Sequence, residues 1–207
     1  MNARLFVISA PSGAGKTSLV KALLERLPDL RVSTSHTTRP PRPAEQQGRE
    51  YFFVDVPTFR QLVDEGAFLE HALVFDNHYG TSRHQLREKL AAGHAVILEI
   101  DWQGARQVRE AMPGCRSIFI LPPSREALRQ RLTARATDSP AVIERRLADA
   151  VADMSHWREF DFVVVNDDFG RAVQDLAAIV GGRGDALAAG RPELAPVLAN
   201  LLEFPVP

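Results

Sequence analysis

The stretch Leu5-Phe6-Val7-Ile8-Ser9-Ala10-Pro11-Ser12-Gly13-Ala14-Gly15-Lys16-Thr17 passes from an apolar run through small residues to a lysine and a hydroxyl. The unbroken apolarity of Leu5–Ser9 predicts a strand covered on both faces, and the amphipathic run Thr17–Leu27 predicts a helix. Between them the glycines allow backbone N–H groups to turn inward around a phosphate, and the helix start adds its positive end. Ala10, Pro11, Ser12, Gly13, Ala14, Gly15, Lys16 and Thr17 thus form a phosphate-binding loop in the strand-turn-helix context it requires, with Ala10 where glycine usually leads. Lys16 is expected to reach the β- and γ-phosphates of a nucleoside triphosphate, and the Thr17 hydroxyl to ligate Mg²⁺.

Working outward, Ala95–Ile100, Ser117–Leu121 and Phe162–Val165 are further short runs rich in β-branched residues. Helical patterns alternate with them at Ser82–Ala92, Gln103–Ala111, Ser124–Thr133, Ala141–Ser155 and Arg171–Val180. This alternation predicts an α/β fold built on a doubly wound, mostly parallel sheet with helices on both faces. Residues 31–80 interrupt it with the proline-rich Arg39-Pro40-Pro41-Arg42-Pro43 and two mixed stretches, Tyr51–Asp55 and Phe68–Phe75. They read as a small inserted lobe, partly antiparallel. After about Val180 the chain turns to Gly, Ala and Pro, which suggests a weakly structured tail or a short terminal helix.

Composition narrows the function classes. The 207 residues are 45% hydrophobic and 25% charged with a net charge of −1, as in a globular chain with an adequate core. Such balance argues against a dedicated nucleic-acid-binding domain. Met1–Ser9 is too short for a secretory signal, and no run reaches the roughly 20 apolar residues of a membrane helix. The single cysteine, Cys115, suits a reducing compartment, so a cytoplasmic location is expected. Residues 1–30, 31–50 and 124–149 each sum to +2, whereas 150–207 sum to −5. Convergence of the three basic pieces would make an anion pocket inside a near-neutral protein.

Several motifs taken together resemble guanylate kinase. They are Ser35-His36-Thr37-Thr38-Arg39-Pro40-Pro41-Arg42-Pro43, Gly48-Arg49-Glu50-Tyr51-Phe52-Phe53, Phe68-Leu69-Glu70-His71-Ala72, Tyr79-Gly80-Thr81-Ser82 and Ile100-Asp101-Trp102-Gln103-Gly104-Ala105. The resemblance implies a kinase domain over residues 1–182, with a core of 3–32, 81–123 and 156–182. It also implies a GMP-binding lobe at 33–80, a helical lid at about 124–155 and a tail at 183–207. The implied activity is transfer of the γ-phosphoryl group of ATP to GMP or dGMP, in purine nucleotide metabolism, with Mg²⁺ and without nucleic-acid or membrane partners. Oligomeric state stays open.

The residue chemistry agrees with that reading. Arg39 and Arg42, on a proline-stiffened loop, can offer guanidinium forks to a monophosphate dianion. Tyr51 and Tyr79 are the only tyrosines, and the resemblance makes both donors to the GMP phosphate. Guanine shows two adjacent donors, N1–H and N2–H₂, beside the O6 acceptor. Glu70 can accept from both donors and the Thr81 hydroxyl can donate to O6, while adenine would present Glu70 with a lone pair. Ser35 and Asp101 complete the base pocket by resemblance. Matched position makes Arg131, Arg135 and Arg146 the clamp on the triphosphate and places Asn166 near adenine. Glu99 stands where the family commonly has Asp and is expected to reach Mg²⁺ through water. His78 replaces a common tyrosine, and Ala136 a lid glycine. Two rival readings are a kinase-like protein-interaction module without catalysis, opposed by the intact phosphate loop, and a sugar-phosphate kinase, opposed by Glu70 and Thr81.

Overall fold

The computed structural model describes residues 4–74, 76–134 and 140–202, without the side chains of residues 140 and 141. In chain order its elements are β1 (Leu5–Ser9), α1 (Lys16–Arg26), β2 (Leu30–Val32), β3 (His36–Thr37), β4 (Phe52–Phe53), α2 (Val56–Asp64), β5 (Phe68–Val74) and β6 (Asn77–Ser82). There follow α3 (Arg83–Ala91), β7 (Ala95–Glu99), α4 (Trp102–Ala111), β8 (Arg116–Leu121), α5 (Arg125–Thr133), α6 (Pro140–Met154), β9 (Phe162–Val165), α7 (Phe169–Val180) and α8 (Ala195–Leu202). Strands β2, β7, β1, β8 and β9 make one sheet in that order, with β2–β7 and β8–β9 parallel. The phosphate loop leaves the C-terminal end of β1, where α/β sheets place their ligands. Every residue of β1 is buried, as its continuous apolarity requires.

The chain divides into two compact units, with β1 passing through both. The first holds Pro28–Cys115. Within it β4, β3, β6 and β5 form a second sheet in that order. Here β3 pairs with β4 in parallel and with β6 antiparallel, and β5–β6 is an antiparallel hairpin. Phe59 and Phe68 stack at 4.7 Å beneath this sheet and form its small core. The insert also contains α2, a helix absent from the sequence reading; Asp55 caps it by accepting from Thr58 N–H, and Pro57 lies in its first turn.

The second unit holds Ile8–Leu27 and the chain from Arg116 on. Ile118–Leu121 and Val163–Val164 are fully buried and form its interior. Of the two expectations for the tail, the helix is what forms. Ala189 N–H donates to the Asp161 carbonyl at 2.9 Å, Arg191 donates to the Val163 carbonyl at 2.8 Å, and Leu194 and Leu201 are buried. Among the described residues no helix is long and apolar enough to cross a membrane.

Candidate active site

The second unit carries the phosphate loop. Helices α2, α3, α4, α5 and α7 each begin with an Asp or Ser side chain that accepts a first-turn N–H. Helix α1 begins instead at Gly15, whose φ of 95° is left-handed and which has no side chain to cap it. There is also no acidic residue in that first turn. Its opening N–H groups therefore point to an anion site. Gly13, at φ 88°, turns the loop beside α5, where a Cβ would come 2.9 Å from Leu128 Cδ1 and 3.0 Å from Leu132 Cδ2.

Two residues brace this loop from behind. Asn166, buried after β9, donates from Nδ2 to the Ala14 carbonyl at 2.7 Å. Arg131, on α5, donates to the Asn166 carbonyl at 2.9 Å and reaches the Ala14 carbonyl at 3.4 Å. The amide of Asn166, expected near adenine, is thus bonded to the loop backbone. Lys16 opens α1 partly exposed and Thr17 is exposed beside it. Arg146 lies partly exposed on α6, while Arg135 falls outside the described residues. An exposed Arg129–Glu144 ion pair ties α5 to α6.

The first unit carries the residues expected to hold the acceptor. The β5–β6 register sets Glu70 opposite Thr81 across an irregularity between Phe68 and Glu70. Bulges of this kind re-aim a side chain. Glu70 is only 2% exposed, and its Oε1 accepts from the Thr81 hydroxyl at 2.5 Å. A hydroxyl has one proton, so in this arrangement Thr81 orients the carboxylate and does not donate elsewhere. The carboxylate's Oε2 lies over α4, where a Cβ on Gly104 would come within 2.4 Å. Asp101 caps α4, accepting from Gly104 N–H at 2.8 Å, and Ser35 is buried at the edge of β3.

Arg39, Tyr51 and Tyr79 form a second cluster in this unit. The Tyr51 and Tyr79 rings meet at 5.9 Å, and the Arg39 guanidinium lies 5.5 Å from the centre of the Tyr51 ring. Burial, with Tyr79 and Glu99 nearby, pushes the Tyr51 phenol up to about 12, so it remains a donor. Arg39 donates to both Glu45 oxygens at 2.8 and 2.9 Å, and Arg42 N–H donates to Glu45 Oε2 at 2.8 Å. Burial acts to lower the Arg39 pKa, but Glu45 and Tyr79 outweigh it and hold the guanidinium above its usual value. The Arg42 side chain is itself 66% exposed.

Sequence reasoning missed three participants. Glu45 carried no motif of its own, although an acidic residue three beyond Arg42 on the same loop was a usable signal. Gln107, on α4, pairs with the backbone of His71. Gly104 was visible only as a letter in a motif. Among the described residues no group of three His, Cys, Asp or Glu could hold a metal ion.

Comparison with known proteins completes the picture. The family profile described as guanylate kinase matches residues 2–182. The chain is 58% identical over 202 residues to the guanylate kinase of Alkalilimnicola ehrlichii, covering 98% of this chain and 100% of that one. It is 54% identical over 201 residues to that of Coxiella burnetii, covering 97% and 98%. The crystal structure of guanylate kinase from Anaplasma phagocytophilum superposes with a TM-score of 0.74 at 33% identity, covering 100% of this chain and 97% of that one. With a profile match spanning almost nine-tenths of its length and relatives identical at more than half their positions, this chain belongs to the guanylate kinase family.

Proposed function

We propose that the protein transfers the γ-phosphoryl group of ATP to GMP or dGMP, giving ADP and the diphosphate. The observation that carries this reading is the buried Glu70 carboxylate, oriented by Thr81 and seated against α4. A buried anion of that kind accepts from both N1–H and N2–H₂ of guanine and rejects adenine, whose N1 is an acceptor. With the Thr81 proton on Glu70, Ser35 is the hydroxyl left to serve O6, and Asp101 borders the same pocket. Arg39, Arg42, Tyr51 and Tyr79 bind the GMP phosphate. The attacking group is an oxygen of that phosphate, and the bond to the β,γ-bridging oxygen of ATP breaks.

The loop Ala10–Thr17 holds the ATP phosphates through its free N–H groups, and Lys16 with Arg131, Arg135 and Arg146 neutralises the charge that shifts onto the leaving ADP. Asn166 supports ATP by holding the loop in shape. The exposed Thr17 hydroxyl suits Mg²⁺, a hard cation that favours oxygen donors and carries few protein ligands when phosphates supply the rest. Mg²⁺ supplies charge neutralisation at the β- and γ-phosphates when bound, and Glu99 would approach it through water. A cytoplasmic site of action fits ATP as donor. The interaction-module alternative has no use for an uncapped α1, and a sugar phosphate has no two-donor edge for Glu70.

ADP release measured over AMP, GMP, CMP, UMP and ribose 5-phosphate tests the reading. GMP is expected to dominate, and Glu70→Gln should weaken GMP at least about a hundredfold while ATP changes little. Comparable turnover with AMP, or equal losses for both substrates in Glu70→Gln, would refute it.

A further inference from the structure

Strand β5 is an edge of its sheet, so alternate backbone groups along its outer side have no strand partner. At His71, the residue next to Glu70, both groups are taken by one side chain. Gln107 Nε2 donates to the His71 carbonyl at 2.9 Å, and Gln107 Oε1 accepts from His71 N–H at 3.2 Å. A side-chain amide thus takes the place of a neighbouring strand. The same helix touches the same strand three residues earlier, at Gly104, where the Glu70 carboxylate rests. Residues three apart share a helix face.

The geometry points to Gln107 as a positioning residue for substrate selection: it clamps the β5 backbone to α4 so that Glu70 meets the base at a fixed depth over Gly104. The inference rests on the reading of Glu70 as the guanine-binding carboxylate. Thr81 fixes one carboxylate oxygen from the neighbouring strand, and the clamp fixes the backbone from the other side. Without it β5 can slide or twist along α4, and the angle between carboxylate and purine edge is lost. Gln107 touches no reacting atom. Its removal therefore acts on recognition of the acceptor alone.

Steady-state kinetics of Gln107→Leu, with GMP and ATP varied in turn, test this. The GMP KM is expected to rise about tenfold, with kcat and the ATP KM within about twofold of wild type. IMP lacks the 2-amino group, so it has less to lose, and the GMP:IMP ratio of kcat/KM should narrow about threefold. Gln107→Glu keeps the acceptor for His71 N–H but not the donor, and should shift both quantities in the same direction. It also carries the test if the leucine variant does not fold. Unchanged GMP KM and GMP:IMP ratio in the folded variant overturn the proposal, as does a fall in kcat with both KM values held. A wild-type enzyme inert toward GMP would instead overturn the function, whereas active wild type with unaltered variants overturns the clamp alone.

Discussion

Replacing Gly104 with alanine adds one methyl group at the point where α4 supports Glu70, the carboxylate proposed to bind the base. The new Cβ would come 2.4 Å from Glu70 Oε2, 3.1 Å from Glu70 Cδ and 3.2 Å from Asp101 Oδ1. Heavy atoms of this kind settle at roughly 3.5 Å, so the carboxylate has to retreat by about an ångström. Its other oxygen is held by Thr81 and the whole side chain is buried, so the retreat takes the form of a tilt away from the base. One of two charge-assisted hydrogen bonds to the purine is then lost, at about 1.5–3 kcal/mol. That corresponds to a decrease in kcat/KM for GMP of about 10- to 150-fold, with the ATP KM unchanged. Helix propensity runs the other way, but Gly104 lies in the first turn of α4, so alanine gains less there than the about 1 kcal/mol of a helix interior. A coupled assay with each nucleotide varied, paired with a thermal melt, separates the two effects: the variant should stay folded while losing GMP. Wild-type kcat/KM for GMP in a folded Gly104→Ala protein would refute the placement of Glu70.

Gly15→Ala forces a left-handed φ of 95° on alanine and drives a Cβ to 2.6 Å from Asn166 Nδ2, so ATP affinity should fall by at least about tenfold while GMP affinity, read by calorimetry, holds. Lys16→Ala should lower kcat by about a thousandfold or more, measured by ADP release, with a folded protein by circular dichroism. Tyr51 has its phenol raised to about 12 in the folded protein against about 10 unfolded. Its contribution to stability is therefore complete below about pH 10 and lost as pH climbs through about 12. Ultraviolet titration at the phenolate band should lose an ionisation step in that upper range on Tyr51→Phe.

The parts of this protein that a reader of sequence can see are those whose cause is local. β1, the loop and α1 follow from twenty-two contiguous residues, Leu5–Arg26, because the strand's burial, the glycine turn and the lysine are set by neighbours along the chain. β7, β8 and β9 begin or end within a residue of their apolar runs for the same reason. β2 is three residues, Leu-Arg-Val, and only Leu30 is buried, too little for a pattern. α2 was hidden by the proline-rich insert, although Asp55-Val-Pro57 is a recognisable helix start. The site divides likewise. Arg39, Tyr51, Glu70 and Tyr79 stand out as candidates from residue type and motif. Gln107 acts on His71 across 36 positions, and a glutamine on a helix announces nothing about what it will touch. Thr81 and Asn166 are legible as polar candidates, but their actual partners follow from tertiary pairing: Glu70 across the β5–β6 hairpin, and the Ala14 carbonyl 152 positions away.

The bare opening turn of α1 has a consequence for the protein between catalytic cycles. Five other helices carry a side-chain cap, whereas α1 has none and the proposed phosphate would serve in its place. Nucleotide at a hundred times its dissociation constant adds about 2.7 kcal/mol to the folded state. If that site holds ATP as proposed, the heat tolerance of the folded protein rises and falls with the nucleotide concentration around it.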